Sequence, residues 1–366
     1  MYDQCEEARS RGISAVCVSG PKSEMDSNDL EGLKTGLFSI VFLAPEILVK
    51  HNKFWNDIFL DSDIYRRHVC LIAVDEAHII DTWGSEFRPA FSRIGEMRSF
   101  FHNVPFLLLS ATCGDAMLTS ISRKVHMSND VVIETASPDR PNIYLSLKSE
   151  PGMNLMTELH WLVEHLRQHG EKATKTLLYV RNLTTLGKVY MDFMGSLGRY
   201  AYLNSSSANT SESRILTCFH SSLSDEDQKN IIQEFKKADS YIRLIICTVA
   251  FGLGVNVMDI GYIIHWGVCG SVLEYWQEVG RAGRDGRDAS AYCYAYKASL
   301  NANVSDDMRK IVRSCKDGLC IRQAVLSSFV SSKDKSQNVP DDSKHGCVNC
   351  HCCSVCKLKC TTCRHD

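Results

Sequence analysis

The chain has 366 residues, 44% of them hydrophobic, which is enough for two sizeable cores and a smaller module. A formal net charge of −2 excludes a strongly basic protein, so any nucleic-acid contact must come from a local patch. No apolar run reaches the length of a membrane span, and the opening MYDQCEEARSRG lacks the apolar core of a secretory signal. Seventeen cysteines in such a chain favour metal binding and buried thiols over disulfides.

Val69–Ala90, VCLIAVDEAHIIDTWGSEFRPA, is the stretch around which the chain is organised. Its opening apolar run is typical of a strand buried on both faces of a parallel sheet. The run ends in Asp75 and Glu76, at the strand end where open α/β sheets hold their ligands. There Asp75 is suited to hold Mg²⁺ through water molecules, and Glu76 to position and deprotonate an attacking water. A strand end whose acids simply meet solvent is the alternative, so the pair alone does not establish a site.

Tyr241–Arg287 is a second stretch with matching chemistry. A buried strand, IRLIICTVAFG, leads into a glycine-rich loop and then into YWQEVGRAGRDGR. Arg281 and Arg284 are three residues apart, and are therefore neighbours on one face if the segment is helical. Two guanidinium groups suit the terminal phosphates of a nucleotide, although an ordinary solvated basic loop has the same composition. Together the two stretches predict the two halves of a nucleotide site.

The remaining predicted elements are short strands and helices. Val104–Thr112 predicts a buried strand whose Ser110 and Thr112 hydroxyls either bond to the acidic pair or cap the next helix. Asp130–Glu134 predicts a further strand, and the two prolines of Ser137–Asn142, SPDRPN, predict a domain boundary. The second half is predicted to hold a helix at 154–168, strands at 176–180, 215–219, 244–248, 261–266 and 291–296, and a helix capped by Ser224.

Four motifs resemble those of superfamily 2 helicases: DEAH at 75–78, SAT at 110–112, TVAFGLGVN at 248–256 and QEVGRAGRDG at 277–286. Trp83–Pro89 resembles the aromatic-rich loop of RecQ DNA helicases, and Arg140–Asn142 resembles the link between their domains. The resemblance covers roughly residues 1–330. It implies an α/β fold with two RecA-like parallel-sheet domains, the first incomplete, and a small C-terminal zinc-binding module.

The resemblance also implies an activity, that of an ATP-dependent DNA helicase that moves 3′ to 5′, serves recombination and repair, and uses ATP with Mg²⁺. It assigns hydrolysis to Asp75 and Glu76, and stabilisation of the transition state to Arg281 and Arg284. Further nucleotide contacts are assigned to His78, Gln277 and Gly252. Contacts to single-stranded DNA are assigned to Trp83, Phe87, Arg88, Thr248 and Ala250, with packing of the two aromatic rings on their own domain as the alternative. Coupling between nucleotide and DNA is assigned to Ser110 and Thr112.

One family motif is missing from the sequence. No Gly-x-x-x-x-Gly-Lys-Ser/Thr phosphate loop occurs, since the single Gly-Lys pair, Gly187-Lys188, is followed by Val189. We therefore expect the chain to begin inside the first RecA-like domain. A second function stays open, that of a non-catalytic fragment that binds single-stranded DNA or a protein partner. A DEAD/DEAH RNA helicase is disfavoured by the aromatic loop, by Arg140–Asn142 and by the C-terminal cysteines.

Those cysteines predict a metal site. Cys320 begins a stretch that resembles the helix carrying the first zinc cysteine in RecQ proteins, and Cys347, Cys350 and Cys353 resemble the remaining ligands. Four thiolates around Zn²⁺ form a closed tetrahedral site that stabilises a small module. More sulfurs are present than one zinc needs, so either a second metal binds or the ligand set differs; the additional ones belong to Cys352, Cys356, Cys360 and Cys363.

The predictions divide the chain into four regions. These are an incomplete ATP-binding domain at 1–137, a linker at 138–150, a second RecA-like domain at 151–298 and the zinc-binding module at 299–366. The partners implied are single-stranded and forked DNA, with no membrane and with any protein partner unidentified. A nuclear location is inferred from the function of the family. The sequence itself adds no support, because it contains no clear basic cluster of the kind that directs proteins to the nucleus, and the cytoplasm is the alternative.

Overall fold

The computed structural model describes residues 1–20, 25–49, 53–60, 62–82, 89–92, 94–110, 113–128, 130–134, 136–149, 154–203, 213–252, 256–329 and 351–360. The chain divides into two compact units within the segment SPDRPN. The first unit comprises residues 1–138, and the second comprises residues 139–328 together with the C-terminal segment 351–360. Across these described ranges, no helix combines the length and the apolar character needed to cross a membrane.

The first unit contains two small parallel sheets with short helices. Its strands are β1 (Ala15–Val18), β2 (Ile40–Leu43), β3 (Ile72–Val74) and β4 (Phe106–Leu108). β1 pairs with β2, and β3 pairs with β4. Its helices are α1 (Tyr2–Ser10), α2 (Ser27–Thr35), α3 (Pro45–Val49), α4 (Lys53–Phe59), α5 (Asp63–His68), α6 (Ile79–Thr82), α7 (Pro89–Ser92) and α8 (Asp115–Lys124), with a 3₁₀ helix at Ile94–Ser99.

β3 is shorter and more exposed than its sequence predicts. Only Ile72–Val74 of the apolar run forms a strand, and Ala73 is exposed. On the neighbouring strand segment, Leu107 and Leu109 are 42% and 46% exposed. The other face packs on a small core that includes Val74, Ile80, Phe106, Ile121 and Val125. Burial on both faces, which requires cover on each side of the sheet, is therefore wrong for β3 and β4.

The second unit is built on one six-stranded sheet. Its strands are β5 (Ile143–Lys148), β6 (Lys175–Val180), β7 (Leu216–Phe219), β8 (Leu244–Cys247), β9 (Ile260–Trp266) and β10 (Ala289–Tyr294). They lie in the order β5-β10-β9-β6-β8-β7, and all the pairings are parallel. Its helices are α9 (Leu155–Glu158), α10 (His160–His169), α11 (Leu183–Leu197), α12 (Asp225–Lys236), α13 (Val272–Val279), α14 (Asp306–Lys316), α15 (Ile321–Leu326) and α16 (Ser354–Lys359).

Strand β8 has the burial that the sequence predicts, and its neighbour β6 is buried as well. Every residue of β6 and of β8 is buried. Parallel strands reach such burial because their crossover helices cover both faces of the sheet. The crossover helix α12 begins at the predicted cap, where the Ser224 hydroxyl oxygen accepts a hydrogen bond from the Asp227 amide at 3.1 Å.

Two predictions near the boundary between the units differ from the structure. Residues 131–134 form no strand, and Val132 is 81% exposed, so the predicted strand at 130–134 is wrong. Residues 143–148, which fall in the predicted linker, form the edge strand β5, with Ile143 opposite Ala289 of β10. The apolar residues of β5 alternate with polar ones, and Ile143, Leu145 and Leu147 face the core. Residues 143–148 of the predicted linker therefore belong to the sheet of the second unit.

Candidate nucleotide and metal sites

Residues 75–78, which we call the acid turn, follow directly on β3. Leu109 donates its amide hydrogen to the Val74 carbonyl at 2.9 Å, and Ala77 donates to the Leu109 carbonyl at 2.8 Å, so the turn is fastened to the segment after β4. Glu76 has φ of 51°, a left-handed conformation that is unusual for a residue with a side chain. Strain of this kind persists where the surroundings enforce it, and it is common at functional sites.

The side chains of the acid turn separate into two exposed acids and one buried imidazole. Asp75 accepts hydrogen bonds from the Glu76 amide at 2.9 Å and from Gln4 Nε2 at 3.2 Å, which fixes its carboxylate. The His78 side chain is buried, and its Nδ1 lies 3.3 Å from Glu76 Oε2 and 3.2 Å from Ser110 Oγ. Burial lowers the pKa of His78, against the opposite influence of Asp75, so the imidazole is neutral at pH 7.

The acid turn therefore brings together four of the predicted site residues. Asp75 and Glu76 present carboxylates to solvent, and His78 links Glu76 to the Ser110 hydroxyl. Such an arrangement is able to hold a hydrated divalent cation and to accept a proton from water. Four other predicted residues, Trp83, Phe87, Arg88 and Thr112, lie outside the described residues.

In the second unit, residues 280–287, which we call the arginine turn, follow α13. Helix α13 ends at Val279, so Arg281 and Arg284 lie on a turn and not on the helical face that the spacing suggests. Arg281 is 8% exposed, whereas Arg284 is exposed and donates through Nη1 to Asn256 Oδ1 at 2.7 Å. Burial, and the positive charges of Arg281 and Arg140, lower the pKa of Arg284. Concentrated positive charge of this kind attracts a phosphate group.

Three other residues predicted to contact nucleotide or DNA lie on the segment after β8. The Ala250 amide lies 3.4 Å from the Thr248 hydroxyl oxygen, and the Thr248 amide donates to the Phe219 carbonyl at 3.3 Å. Gly252 closes the 3₁₀ helix Val249–Gly252.

Gln277 is half-buried on α13, three residues before the arginine turn.

Arg140 and Asn142 contact the arginine turn, a role that sequence reasoning missed. Arg140 donates to the carbonyls of Gly280 at 2.9 Å, Ala282 at 2.8 Å and Gly283 at 2.9 Å. Asn142 Nδ2 donates to the Gly283 carbonyl and to the Arg287 carbonyl, both at 2.9 Å. The resemblance points to this tripeptide, but its partners are about 140 residues away in sequence, beyond the reach of local pattern reasoning.

A buried ionic network supports α13 from the sheet side. Glu278 Oε2 lies 2.8 Å from His265 Nε2 and 3.3 Å from Arg181 Nη2, and Arg181 Nη1 donates to Glu274 Oε1 at 3.0 Å. His265, Cys269 and Glu278 are close enough together to hold a metal ion. However, Arg181 Nη2 also lies 3.0 Å from Cys269 Sγ, so a guanidinium already supplies the positive charge at this position. We therefore assign the group a structural role.

The cysteines of the C-terminal segment converge on Cys320, which immediately precedes α15. The Sγ atoms of Cys320, Cys352, Cys353 and Cys356 all lie within 4.8 Å of one another. We call these four residues the cysteine cluster. Hydrogen bonding with Cys320 and Cys352 lowers the pKa of the Cys353 thiol, whereas burial raises the pKa of Cys356 to about 12. Cys320 and Cys353 were predicted as ligands, while the other two predicted ligands, Cys347 and Cys350, lie outside the described residues.

Comparison with known proteins places these features in a family. The helicase conserved C-terminal domain matches residues 157–286, which include β6 to β9, α13 and most of the arginine turn. The fold resembles that of Saccharomyces cerevisiae Dbp5 bound to RNA and ADP BeF3, with a TM-score of 0.59, 14% identity, and coverage of 90% of this chain and 73% of that one. At that identity the likeness shows the fold alone. The match to a helicase domain therefore lies within the second unit, and the α/β fold of the chain resembles that of Dbp5.

Two relatives narrow the assignment. The chain is 26% identical over 357 residues to the ATP-dependent DNA helicase hus2/rqh1 of Schizosaccharomyces pombe, covering 92% of this chain and 25% of that protein. It is 27% identical over 295 residues to the ATP-dependent DNA helicase RecQ of Haemophilus influenzae, covering 80% of this chain and 42% of that protein. The chain is thus similar, over most of its length, to helicases of the RecQ family. It spans a quarter of the first relative and less than half of the second.

Proposed function

We propose that this protein works as an ATP-dependent DNA helicase of RecQ type, moving 3′ to 5′ on single-stranded DNA and opening forked duplexes in recombination and repair. The observation that carries the proposal is the acid turn, in which an enforced left-handed Glu76 presents its carboxylate beside Asp75 and a neutral His78. The names of the two relatives, each an ATP-dependent DNA helicase, supply the substrate class. A nuclear site of action is part of the proposal and rests on the family function.

In this mechanism each side chain has a defined task. Asp75, held by Gln4 and the Glu76 amide, would hold the hydrated Mg²⁺ that accompanies ATP, and the ion would supply positive charge beside the phosphates. Glu76 orients the attacking water and takes its proton. Arg281 and Arg284 neutralise charge that develops on the transferred phosphoryl group, with Gln277 and Gly252 contributing contacts to the nucleotide.

The Ser110 hydroxyl is proposed to transmit the state of the nucleotide. It lies 3.2 Å from His78 Nδ1, and the same nitrogen lies 3.3 Å from Glu76 Oε2. A movement of Glu76 during hydrolysis therefore changes the hydrogen bonding at Ser110 and at the segment that follows β4. Thr112, two residues further on, is proposed to act with it.

The alternative function is binding without catalysis. No Gly-x-x-x-x-Gly-Lys-Ser/Thr sequence occurs in the 366 residues, and that motif normally supplies the backbone amides and the lysine that hold nucleotide phosphates. Under this alternative the chain binds single-stranded DNA or a protein partner and hydrolyses nothing. Measurement of ATP hydrolysis by the purified chain, with and without single-stranded DNA, separates the two functions, because only the first predicts DNA-stimulated turnover.

The helicase function, and the alternative of binding single-stranded DNA without catalysis, both predict a contribution of the aromatic loop to DNA affinity. Replacing Trp83 with alanine is expected to weaken binding of an oligothymidine roughly 5- to 150-fold, because stacking of a base on an aromatic ring contributes about 1–3 kcal/mol. Fluorescence anisotropy at fixed salt measures the change. Trp161→Ala is the matched control, since Trp161 packs on Tyr262 and Tyr292 within the second unit. An unchanged affinity of Trp83→Ala would show that this ring packs on its own domain.

We also propose that the cysteine cluster holds one Zn²⁺. Four soft sulfur ligands within mutual reach match the tetrahedral sites that zinc prefers, and the ion would join α15 to the segment that begins at residue 351. Its contribution would be structural, since a closed four-sulfur site leaves no open position for substrate.

Zinc content tests the ligand set. We expect about one zinc per chain, lost on replacement of Cys320, Cys353 or Cys356 with serine. Replacement of the exposed Cys70 with serine is the control and leaves zinc content unchanged. Single replacements of Cys347, Cys350 and Cys352 then identify the fourth ligand. Full zinc content in the Cys353→Ser protein would contradict the site.

A further inference from the structure

The arginine turn is rich in glycine. Three of its eight residues are glycines, at 280, 283 and 286, and glycine loses more backbone freedom on folding than any other residue. Its two catalytic candidates, Arg281 and Arg284, carry like charges that lower the pKa of Arg284 and disfavour their close approach. The amides of Arg281 and Ala282 donate to the last carbonyls of α13, those of Glu278 at 3.3 Å and Val279 at 3.1 Å. The carbonyls of the turn, in contrast, face a donor from outside it, and this donor adds to the order of the turn.

Arg140 is that donor. Its guanidinium group donates to three carbonyl oxygens of the turn, those of Gly280, Ala282 and Gly283, at 2.8 to 2.9 Å. A planar group with five donors in fixed geometry is suited to hold three acceptors at once. Lysine, with one nitrogen atom, is unable to reproduce that arrangement.

Asn142 also contacts the arginine turn, and it packs closely against Gly283. The Asn142 carbonyl accepts from the Ala289 amide at 2.9 Å, which joins the same segment to the start of β10. Gly283 has φ of 54°, and a Cβ atom there would lie 2.5 Å from Asn142 Nδ2 and 2.7 Å from the Arg287 carbonyl oxygen. Glycine at 283 thus permits both the left-handed backbone and the close approach of residues 140–142.

Arg322 of α15 holds the same segment from its other side. It is 7% exposed, and its Nη1 donates to the Asp139 carboxylate and to the Arg140 carbonyl. Its Nη2 donates to the Ile143 carbonyl and lies 3.4 Å from the Cys352 carbonyl. The buried Arg322 side chain therefore contacts both residues 139–143 and the C-terminal segment 351–360, which we call the cysteine segment. Through residues 139–143 it is connected to the arginine turn.

We propose that Arg140 is a positioning residue that sets the geometry of Arg281 and Arg284, and that Arg322 couples the C-terminal cysteine segment to it. The catalytic consequence of this arrangement rests on the proposed helicase function. The structural part, in which Arg140 holds the arginine turn, is independent of that function, since it concerns hydrogen bonds within one unit of the chain. Arg140 acts through the carbonyls of the turn and is not itself placed on the nucleotide.

Hydrogen exchange of the full-length chain without nucleotide tests the support of the turn. Arg140→Met is expected to accelerate exchange at 280–288 by at least about tenfold, because the amides of Gly283 and Asp285 are held against Ile260 and Met258 only while the turn is ordered. Arg140→Lys is expected to restore part of the protection. Exchange in β6 and β8 should stay unchanged, as should the whole pattern in the control Arg199→Met, whose side chain is exposed and contacts Tyr200. Unaltered exchange at 280–288 in Arg140→Met would overturn the proposal.

Turnover then separates a positioning role from a merely structural one. Where the unsubstituted chain hydrolyses ATP, Arg140→Met is expected to lower kcat roughly 10- to 100-fold with KM for ATP changed less than about twofold, and Arg140→Lys to recover part of kcat. An unchanged kcat beside accelerated exchange would refute the positioning role. If the unsubstituted chain shows no turnover, the helicase proposal fails, and with it the catalytic role of Arg140, while the exchange experiment still decides the support of the turn.

A double-mutant cycle tests the coupling to Arg322. Arg322→Met alone is expected to accelerate exchange at 280–288 less than Arg140→Met does, because it acts on the turn through residues 139–143. In the double variant, exchange at 280–288 should accelerate by less than the product of the two single accelerations, since both substitutions loosen one connected set of contacts. If the accelerations of the two single variants multiply in the double variant, Arg322 and Arg140 act independently, and Arg322 contributes only to holding the segment that contains Cys352.

Discussion

Replacement of Glu76 with glutamine is expected to lower DNA-stimulated ATP hydrolysis roughly 10²- to 10⁴-fold, the usual contribution of a general base. Glutamine keeps the length and the hydrogen-bonding capacity of the side chain but is unable to accept a proton. The contact between position 76 and His78 Nδ1, 3.3 Å in the structure, is therefore retained while the chemistry is lost. In free energy the loss corresponds to about 3 to 5 kcal/mol of transition-state stabilisation.

The measurement is the steady-state release of phosphate with saturating oligothymidine, with kcat and KM determined separately. We expect KM for ATP to stay within about threefold, because the catalytic base contributes little to ground-state binding. Glu31→Gln is the matched control, since Glu31 lies on α2 of the same unit and forms a surface pair with Lys34 at 3.2 Å. Equal turnover of the Glu76→Gln protein and the unsubstituted protein would remove Glu76 from the mechanism. Turnover by neither would favour the alternative of DNA binding without catalysis.

The sequence predicts the second unit better than the first. β8 is a continuous apolar run whose residues are all buried, so that composition and burial agree. The run before Asp75 has the same composition, yet only Ile72–Val74 forms a strand and Ala73 is exposed. An apolar composition shows that a strand can be buried. Whether the strand is buried depends on which helices and strands pack against its two faces.

The candidate site was predictable where one short segment carries the chemistry. Asp75, Glu76 and His78 lie together on one turn because they are adjacent in sequence. The contact of His78 with Ser110 was open to prediction because parallel strands end at a common sheet edge. Contacts that depend on register across distant segments, such as Arg322 with Asp139, carry no periodic or compositional signal. For the same reason the sequence does not distinguish Cys352 from Cys347 or Cys350 as a neighbour of Cys320.

Replacement of Glu278 with glutamine is expected to destabilise the second unit by about 3–5 kcal/mol, the usual cost of removing one partner from a buried ion pair. Glu278 is buried on α13, and its carboxylate faces His265 at 2.8 Å and Arg181 at 3.3 Å. Glutamine preserves the shape but removes one of the two carboxylates that pair with the half-buried Arg181, leaving the pair with Glu274. Because α13 leads directly into the arginine turn, the same substitution is expected to reduce any ATP hydrolysis.

Urea unfolding, followed by hydrogen exchange in β9 and α13, measures the loss within the second unit of the full chain. Glu158→Gln is the matched control, since Glu158 pairs with Lys148, whose side chain is 51% exposed in the same unit, and loss of this pair is expected to cost at most about 1 kcal/mol. Similar losses for the two variants would show that Glu278 contributes no more than a surface pair.

The pH dependence of stability supplies a second test of the same network. Burial opposes ionisation of Glu278, but the His265 hydrogen bond and the Arg181 charge lower the net pKa of Glu278 below 4.5. Its contribution to stability is thus present above pH 4.5 and is lost as the pH falls through the lowered pKa. Burial lowers the pKa of His265 below 6.5, so the unfolded chain binds a proton there that the folded chain does not, and stability also falls as the pH drops below 6.5.

Removal of Glu278 should alter this profile in a direction that a loss of packing alone would not produce. The Glu278 hydrogen bond and charge both raise the pKa of His265, against the larger effect of burial. In Glu278→Gln the pKa of His265 therefore falls further, and stability should continue to decrease over a wider pH range below 6.5. In His265→Gln the decrease between pH 6.5 and 5 should be smaller than in the unsubstituted protein. Parallel profiles for all three proteins would show that His265 and Glu278 are not electrostatically coupled, although they lie 2.8 Å apart.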